Sequence, residues 1–317
     1  MENNEFGKLR TGIGGCEASL DMLNYAYEKG IRVIDSGRGY QSNGTKVPVF
    51  DKILGQFMEN HKEDREEFFI INKLPLFDEH YKEKFGWSLY NCTDEQLEFG
   101  IREVIKDQMK DNNVEYYDAY LLHALYDMQY SSNWVGLEEE TELYKRIFKV
   151  LLKLKEEGKI KHLGFSAHIT FERLHYFVSE IEATFGNIMD VAEVSFNIFN
   201  DKGFSQSNPS MFSKMHGIRV WDAIGEKGIH WLKERGYTIV NCRGHEGGQI
   251  KAINESDDWF RWCNKFIYDN KDIDIVLAGT NYKKHLDDML NVETNEYLKD
   301  IPDMRIIDTE KPVHCME

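Results

Sequence analysis

A chain of 317 residues could hold two ordinary domains, yet α/β barrels routinely spend about 250 residues on one, and 41% hydrophobic content supplies a large core. The formal charge of −16 excludes nucleic acid as a general partner, because phosphate binding needs clustered Lys and Arg. The polar stretch Met1 to Leu9 has no apolar leader, and nowhere do eighteen apolar residues run together, so export and membrane insertion are not expected and the expected location is the cytoplasm.

Thr11-Gly12-Ile13-Gly14-Gly15 reads as a short strand, followed by Leu20, Leu23, Ala26 and Tyr27 at helical spacing and Gly30 as a stop. The run Ile31 to Ile34 ends in Asp35, and a glycine-punctuated loop then presents Tyr40. A loop over 41–46 leads to a helix near Pro48 to Glu59, and the charged stretch Asn60 to Glu67 returns the chain to a strand that stops at Lys73. Thr93 with Gln96 reads as a capping box before the stripe Leu97, Ile101, Val104, Ile105. Ala119 to Leu122 ends in His123.

Leu143, Ile147, Val150, Leu151 and Leu154 form the next stripe, stopped by Gly158, and the strand Lys161 to Phe165 ends in Ser166. Thr170 is placed to cap a helix carrying Leu174, Phe177, Val178 and Ile181. Further strands are expected at Val191 to Phe196, with Glu193 inside, at Thr238 to Asn241 and at Ile273 to Ala278. Helices are expected at Trp221 to Glu234, Trp259 to Tyr268 and His285 to Leu290.

Eight strand and helix pairs in strict alternation imply a closed parallel (β/α)8 TIM barrel more naturally than an open doubly wound sheet. No short repeat or compositional break marks a second domain, so the expectation is one domain over 1–317, with a barrel over 11–292 and a tail over 293–317. Three strand-to-helix loops are long: Leu76 to Asn91, Ala124 to Leu137 and Asn197 to Val220. Their aromatics, Phe77, Tyr81, Phe85, Trp87, Tyr90, Tyr126, Tyr130, Trp134, Phe199 and Phe204, either line an apolar pocket or hold the loops down. Cys16, Cys92, Cys242, Cys263 and Cys315 contain no C-x-x-C pair and are expected as free thiols; no metal site is expected, and lone histidines such as His80, His216 and His245 read as surface or loop residues.

An Asp, a Tyr, a Lys and a His at or just past strand ends converge on one mouth of such a barrel. Tyrosine is a weak acid, with an unperturbed pKa of about 10, but a neighbouring ammonium favours the phenolate. Lys73 supplies that ammonium, Asp35 holds it charged, and His123 orients a substrate oxygen. The set lacks a nucleophile, a metal cage or an electron source, so redox chemistry there must borrow its hydride from a nicotinamide.

At this point the sequence resembles the aldo-keto reductase family. Its order of a strand-end Asp, a Tyr a few residues on, then Lys and His on the next two strands is matched by Asp35, Tyr40, Lys73 and His123. Gly30 to Ser36 is close to the family's "GIxxxDTA", Asp118 to His123 to "D-x-Y-L-x-H", and Glu157 to Ser166 to "EGKIRxIGVS". The resemblance covers about residues 11–292. It implies NADP(H), with NAD(H) left open, bound across the C-terminal face, and a small carbonyl or alcohol as substrate. Tyr40 would be the acid, Lys73 and Asp35 its tuning pair, His123 the orienting group, and Ser166 would lie beside the nicotinamide carboxamide.

The departures lie in the cofactor half. Ala167 stands where the family often has Asn, Glu193 where it often has Gln, and Cys242-Arg243-Gly244 where a stacking Tyr or Met-Lys-Pro is usual. Glu193 either accepts the carboxamide N–H or pairs with a barrel lysine; Cys242 is also readable as a small core filler. Arg243 is available to the pyrophosphate. Gly279 and Thr280, within a segment like "GTSxxxxLxEN", offer a helix start to the adenosine phosphate, with Lys283 and Lys284 as its cations or as a solvated surface. Two rivals remain open: a barrel of this type serving as a regulatory or interaction protein with little turnover, and a cofactor-independent lyase or isomerase using Tyr40 and Lys73. Oligomeric state is not legible.

Overall fold

The computed structural model describes residues 7–15, 18–37, 49–126, 135–203, 222–246 and 257–294. Eight parallel strands close into a barrel in sequence order, each paired with its neighbours and β8 with β1. They are β1 Thr11–Gly14, β2 Val33–Asp35, β3 Phe69–Leu74, β4 Tyr117–Leu125, β5 Ile160–Ala167, β6 Val191–Ser195, β7 Thr238–Cys242 and β8 Ile275–Ala278. The helices among the described residues are α1 Leu20–Glu28, α2 Val49–Asn60, α3 Asp78–Phe85, α4 Asp94–Asn112, α5 Leu137–Glu156, α6 Phe171–Phe185, α7 Gly225–Lys233, α8 Asp257–Asp269 and α9 Lys283–Thr294. All eight strands and the (β/α)8 TIM barrel stand where the sequence pattern put them.

Strand alternation divides the core in two. Val33, Phe69, Ile71, Ala119, Leu121, Val191, Val240 and Ile275 point inward and fill the barrel as a cluster of their own. Ile34, Ile70, Tyr120, Leu122, Leu163, Phe165, Ala192 and Ile239 point outward and pack beneath the helices in a larger cluster. At the end of the barrel where the strands start, Arg10 donates to the carbonyls of Tyr268 (2.7 Å), Asn270 (2.9 Å) and Ile273 (2.6 Å), tying β1 to the exit of α8.

The capping box of α4 forms, with the Thr93 hydroxyl accepting from Gln96 N–H and the Gln96 side chain accepting from Thr93 N–H. Thr170 stands at the start of α6, but its hydroxyl makes no capping bond.

Three boundaries differ from expectation. The segment Leu76 to Asn91 is not all loop, because α3 lies inside it. There Tyr81 is fully buried, Phe85 stacks on Trp87 at 5.3 Å, and Phe99 of α4 closes on Phe85 at 5.9 Å. Those aromatics hold the segment down, as the loop-anchoring reading had it. The helix expected from Trp221 begins at Gly225 instead; that glycine sits at φ +66°, and a Cβ on it would stand 2.3 Å from Gly203 N, so the helix starts only at this close approach. Finally, α9 runs past residue 292. Glu293 accepts from the Thr11 hydroxyl at 2.6 Å and from Arg10 N–H, which binds the last helix to the first strand.

Tyr126 does not line a pocket. It is buried, its N–H donates to the Tyr144 hydroxyl at 3.0 Å, and its own hydroxyl lies 2.6 Å from Thr141. Cys92, Cys242 and Cys263 are free thiols. Tyr130, Trp134, Phe204, His216, Cys16, Cys315 and the tail from residue 295 onward lie outside the described residues.

Candidate active site

The site is one step up each strand from the apolar barrel filling. Two residues beyond Val33, Ile71, Leu121, Gly164, Val191 and Val240 stand Asp35, Lys73, His123, Ser166, Glu193 and Cys242. The two-residue period of a strand therefore aims all of these side chains into the barrel at its C-terminal mouth. Next to His123 the ladder breaks register between Leu122 and Leu125, and Ala124 and Tyr126 take φ of 56° and 55°. Irregularities of this kind at a barrel rim re-aim strand-end side chains.

Lys73 is at the centre. Its ammonium bonds the Asp35 carboxylate and lies 3.0 Å from Glu193 Oε2, with the Ser36 carbonyl at 3.2 Å. All three charged side chains are buried: Lys73 is 0% exposed, Asp35 1% and Glu193 4%. Burial opposes charge on Lys73, but the negative charges of Asp35 and Glu193 together outweigh it and hold the pKa above the ordinary lysine value. Removing either carboxylate would leave this balance poorer.

The groups behind Lys73 are fixed by polar contacts with the helices. Gln108 Nε2 donates to the Lys73 carbonyl (2.9 Å) and to Asn72 Oδ1 (3.1 Å), which also accepts from Lys73 N–H at 2.7 Å. One helical turn on, Asn112 Oδ1 accepts from Asn72 Nδ2 at 2.7 Å, and Asn112 Nδ2 donates to Asp51 of α2. The Ser36 hydroxyl donates to Asp51 Oδ1 at 2.8 Å. This network is buried and linked by several hydrogen bonds, so it fixes where Asp35 and Lys73 sit.

On the far side of the barrel the Ser166 hydroxyl donates to Glu193 Oε1 at 3.1 Å, and the two residues are register partners on β5 and β6. Glu193 thus takes the lysine-pairing reading, through its second oxygen. Its carboxylate joins Ser166 to Lys73 across the mouth.

His123 faces the edge of Phe77, with ring centroids 6.0 Å apart at 74°. Burial first, then the positive charges of Lys73 and Arg243, push its pKa down to about 3. His168, two residues beyond Ser166 and on the same side of the strand line, is pushed to about 3 by burial and by Arg243, His123 and Lys73. Both rings are neutral at pH 7. Arg243 is exposed at φ +53°, its Nε donates to His168 Nε2 at 3.2 Å, and its carbonyl accepts from Asn197 at 3.0 Å. With Nε2 accepting, the hydrogen-bond network assigns the His168 proton to Nδ1. Cys242 is held protonated, far above the ordinary thiol range, by burial and then by Glu193.

At the end of β8, Gly279 has open space where a Cβ would stand. Thr280 accepts from Tyr282 N–H at 3.1 Å and meets His285 Nδ1 at 3.2 Å, shaping the entry to α9. Lys283 pairs with Asp21 at 2.9 Å over the Tyr25 ring, and Lys284 is exposed. Asp35, Lys73, His123, Ser166 and Glu193 therefore come together, and Arg243 joins them through His168. Tyr40 lies outside the described residues.

His168 escaped sequence reading. The available signal was its i+2 spacing from Ser166, which continues the inward line of β5 just past its last residue, Ala167. The Asn72, Gln108 and Asn112 support carried only a weak sign, polar residues on an otherwise apolar helix stripe. Among the described residues no three His, Cys, Asp or Glu side chains group as a metal cage, and no helix is long and apolar enough to cross a membrane.

Fold and site together define a (β/α)8 barrel with a charged, buried constellation at the C-terminal mouth. The model of the "Aldo/keto reductase family" matches residues 15–223, and the chain belongs to that family. Among solved structures, an aldo/keto reductase from Brucella melitensis is 15% identical over 90% of this chain and 89% of its own, with a TM-score of 0.55. Gox0644 in its apo form is 17% identical over 93% of this chain and 87% of its own, with a TM-score of 0.58. A variant of Gox0644 in complex with NADPH is 16% identical with the same coverage and TM-score. No curated protein matches the sequence.

Proposed function

We propose that the protein is an NADP(H)-dependent oxidoreductase that moves a hydride between nicotinamide and a small carbonyl or alcohol substrate. The carrying observation is the buried ammonium of Lys73 between Asp35 and Glu193, on the same inward layer as His123 and Ser166. Family membership and the NADPH complex of Gox0644 support the reading.

The residues present fit a nicotinamide dinucleotide. Ser166 and Glu193 offer a hydroxyl and a carboxylate to a carboxamide, and Gly279 leaves room for close approach beside the start of α9, where Lys283 and Lys284 stand near the anion-attracting helix end. Arg243 is exposed at the same mouth, so it is assigned to the diphosphate.

When bound, the nicotinamide supplies or accepts the hydride. The chain supplies the proton and the geometry. Tyr40 gives its phenolic proton to the substrate oxygen, Lys73 favours the phenolate left behind, and Asp35 keeps Lys73 charged. Neutral His123 donates one hydrogen bond to the same oxygen without competing as an acid, since a pKa of about 3 leaves no imidazolium near neutrality.

The test is NADPH oxidation over a panel of aldehydes and ketones by the wild type and Tyr40→Phe. General acid catalysis contributes roughly 10² to 10⁴ in rate, so the variant should bind NADPH normally and lose about that factor in kcat. Unchanged kcat would remove Tyr40 from the mechanism.

A further inference from the structure

We propose that His168 is a positioning residue for Arg243: its imidazole holds the arginine side chain in place for the cofactor diphosphate before any nucleotide arrives. This rests on the NADP(H) reading above. It gives a task to a histidine that the proton-transfer scheme leaves unused.

Arg243 is exposed, yet it is held from two directions. It directly follows β7, and its backbone takes φ +53°, a left-handed conformation that few residues other than glycine adopt. Asn197, on the loop after β6, donates to the Arg243 carbonyl at 3.0 Å, and Glu246 N–H donates to the same oxygen at 3.1 Å. Asn197 and Glu246 are themselves buried and joined by a bond of 2.9 Å. The side chain is tied separately, through Nε, to His168 Nε2 at 3.2 Å, one residue past the end of β5. Segments after three consecutive strands thus meet on one arginine. A backbone in a sparsely populated conformation persists where its surroundings over-determine it, and such positions cluster at ligand sites.

The acceptor has to be a neutral imidazole. Protonated, His168 would present the guanidinium with a second positive charge in place of a lone pair. Burial, and then Arg243 itself, push the His168 pKa down to about 3, so the lone pair on Nε2 persists at any pH near neutrality. The contact uses Nε. It leaves out the edge between the two terminal nitrogens, the fork that bonds phosphate oxygens two at a time. A side chain already held in place has less rotamer freedom to lose when the diphosphate binds, and that difference appears as affinity.

The experiment is a double-substitution cycle on the full-length protein, read by calorimetric titration with NADPH. His168→Phe keeps the ring bulk without the acceptor, His168→Gln brings an amide oxygen near the position of Nε2, and Arg243→Met removes the cation. His168→Phe should raise Kd about five- to tenfold, the size expected for ordering one long side chain. His168→Gln should stay within about twofold of the wild type, and in the Arg243→Met background His168→Phe should change Kd by less than about twofold. Should His168→Phe not fold, His168→Leu makes the same comparison. A histidine that merely supports the fold would weaken binding as much in the Arg243→Met background and would not be rescued by glutamine. Either of those results overturns the proposal, as does an unchanged Kd in His168→Phe. A wild type that gives neither heat nor tryptophan quenching with NADPH overturns the nicotinamide reading and this inference with it.

Discussion

Lys73 Nζ and Glu193 Oε2 stand 3.0 Å apart although their strands, β3 and β6, are not neighbours in the sheet. The contact spans the barrel interior, and with Asp35 on β2 it makes one buried ionic unit from three strands. Such a unit is costly to break from one side, because the partner left behind stays buried and charged.

Lys73→Met should therefore destabilise the fold by about 3 to 5 kcal/mol, the usual range for an orphaned buried charge. Combining it with Glu193→Gln should restore part of that loss, because only one buried carboxylate then remains. Urea denaturation of both variants measures the difference. A double variant no more stable than Lys73→Met would show that Glu193 does not carry its charge into the folded state.

The histidine pair sets a pH dependence. His123 and His168 have folded pKa values of about 3, below the ordinary value of about 6.5. Between those limits the unfolded chain binds more protons than the folded one. The stability they contribute is thus complete above about pH 6.5 and is lost as pH falls toward 3. Urea midpoints at pH 7 and pH 5 should show the wild type losing stability and His168→Gln losing measurably less. Equal losses would place the acid sensitivity elsewhere.

Glu246 should act in the opposite sense. Its carboxyl accepts from Asn197 at 2.9 Å, is buried, and is pushed up to about 7, chiefly by burial. A raised acid pKa gives stability that is present below the unfolded value of about 4.5 and lost as pH rises through 7. Glu246→Gln keeps an acceptor for Asn197 and cannot ionise. It should be more stable than the wild type at pH 8 and indistinguishable near pH 4.5, as thermal melts at the two pH values would record.

Gly55 offers a test of packing between α2 and α4. In an open helix Gly→Ala gains about 1 kcal/mol. Here a Cβ would stand 2.1 Å from the Asp111 carbonyl oxygen, a backbone atom that cannot step aside. Gly55→Ala should lower stability by roughly 1 to 3 kcal/mol, the cost of overpacking. A stabilised variant would mean that α2 and α4 separate more easily than their contact suggests.

How much of this was legible in the sequence follows from the range of each interaction. The eight strands were, because apolar runs stopped by Asp35, Lys73, His123 and Ser166 are local signals. The capping box of Thr93 and Gln96 was legible for the same reason. The helix α3 was not: Asp78 to Phe85 buries only Tyr81, so it carries almost no apolar stripe, and no side chain caps its start. The early start expected for α7 failed because Gly225 packs against Gly203 and the Asp201 carbonyl accepts from Glu226 N–H at 2.7 Å, contacts from far off in the sequence. The bond between Lys73 and Glu193 is the furthest from local. It exists only once the barrel has closed, and a lysine partner for Glu193 could be named as one of two readings but not chosen.

The most direct measurement of the central claim is a crystal structure of the protein soaked with NADPH. The account predicts the nicotinamide carboxamide on Ser166 and Glu193, the ring over the Lys73 ion pair within reach of the Tyr40 hydroxyl, and the phosphates toward Arg243 and the start of α9. Nucleotide bound away from the barrel mouth, or a Tyr40 hydroxyl with no path to Lys73 in the filled site, would contradict it.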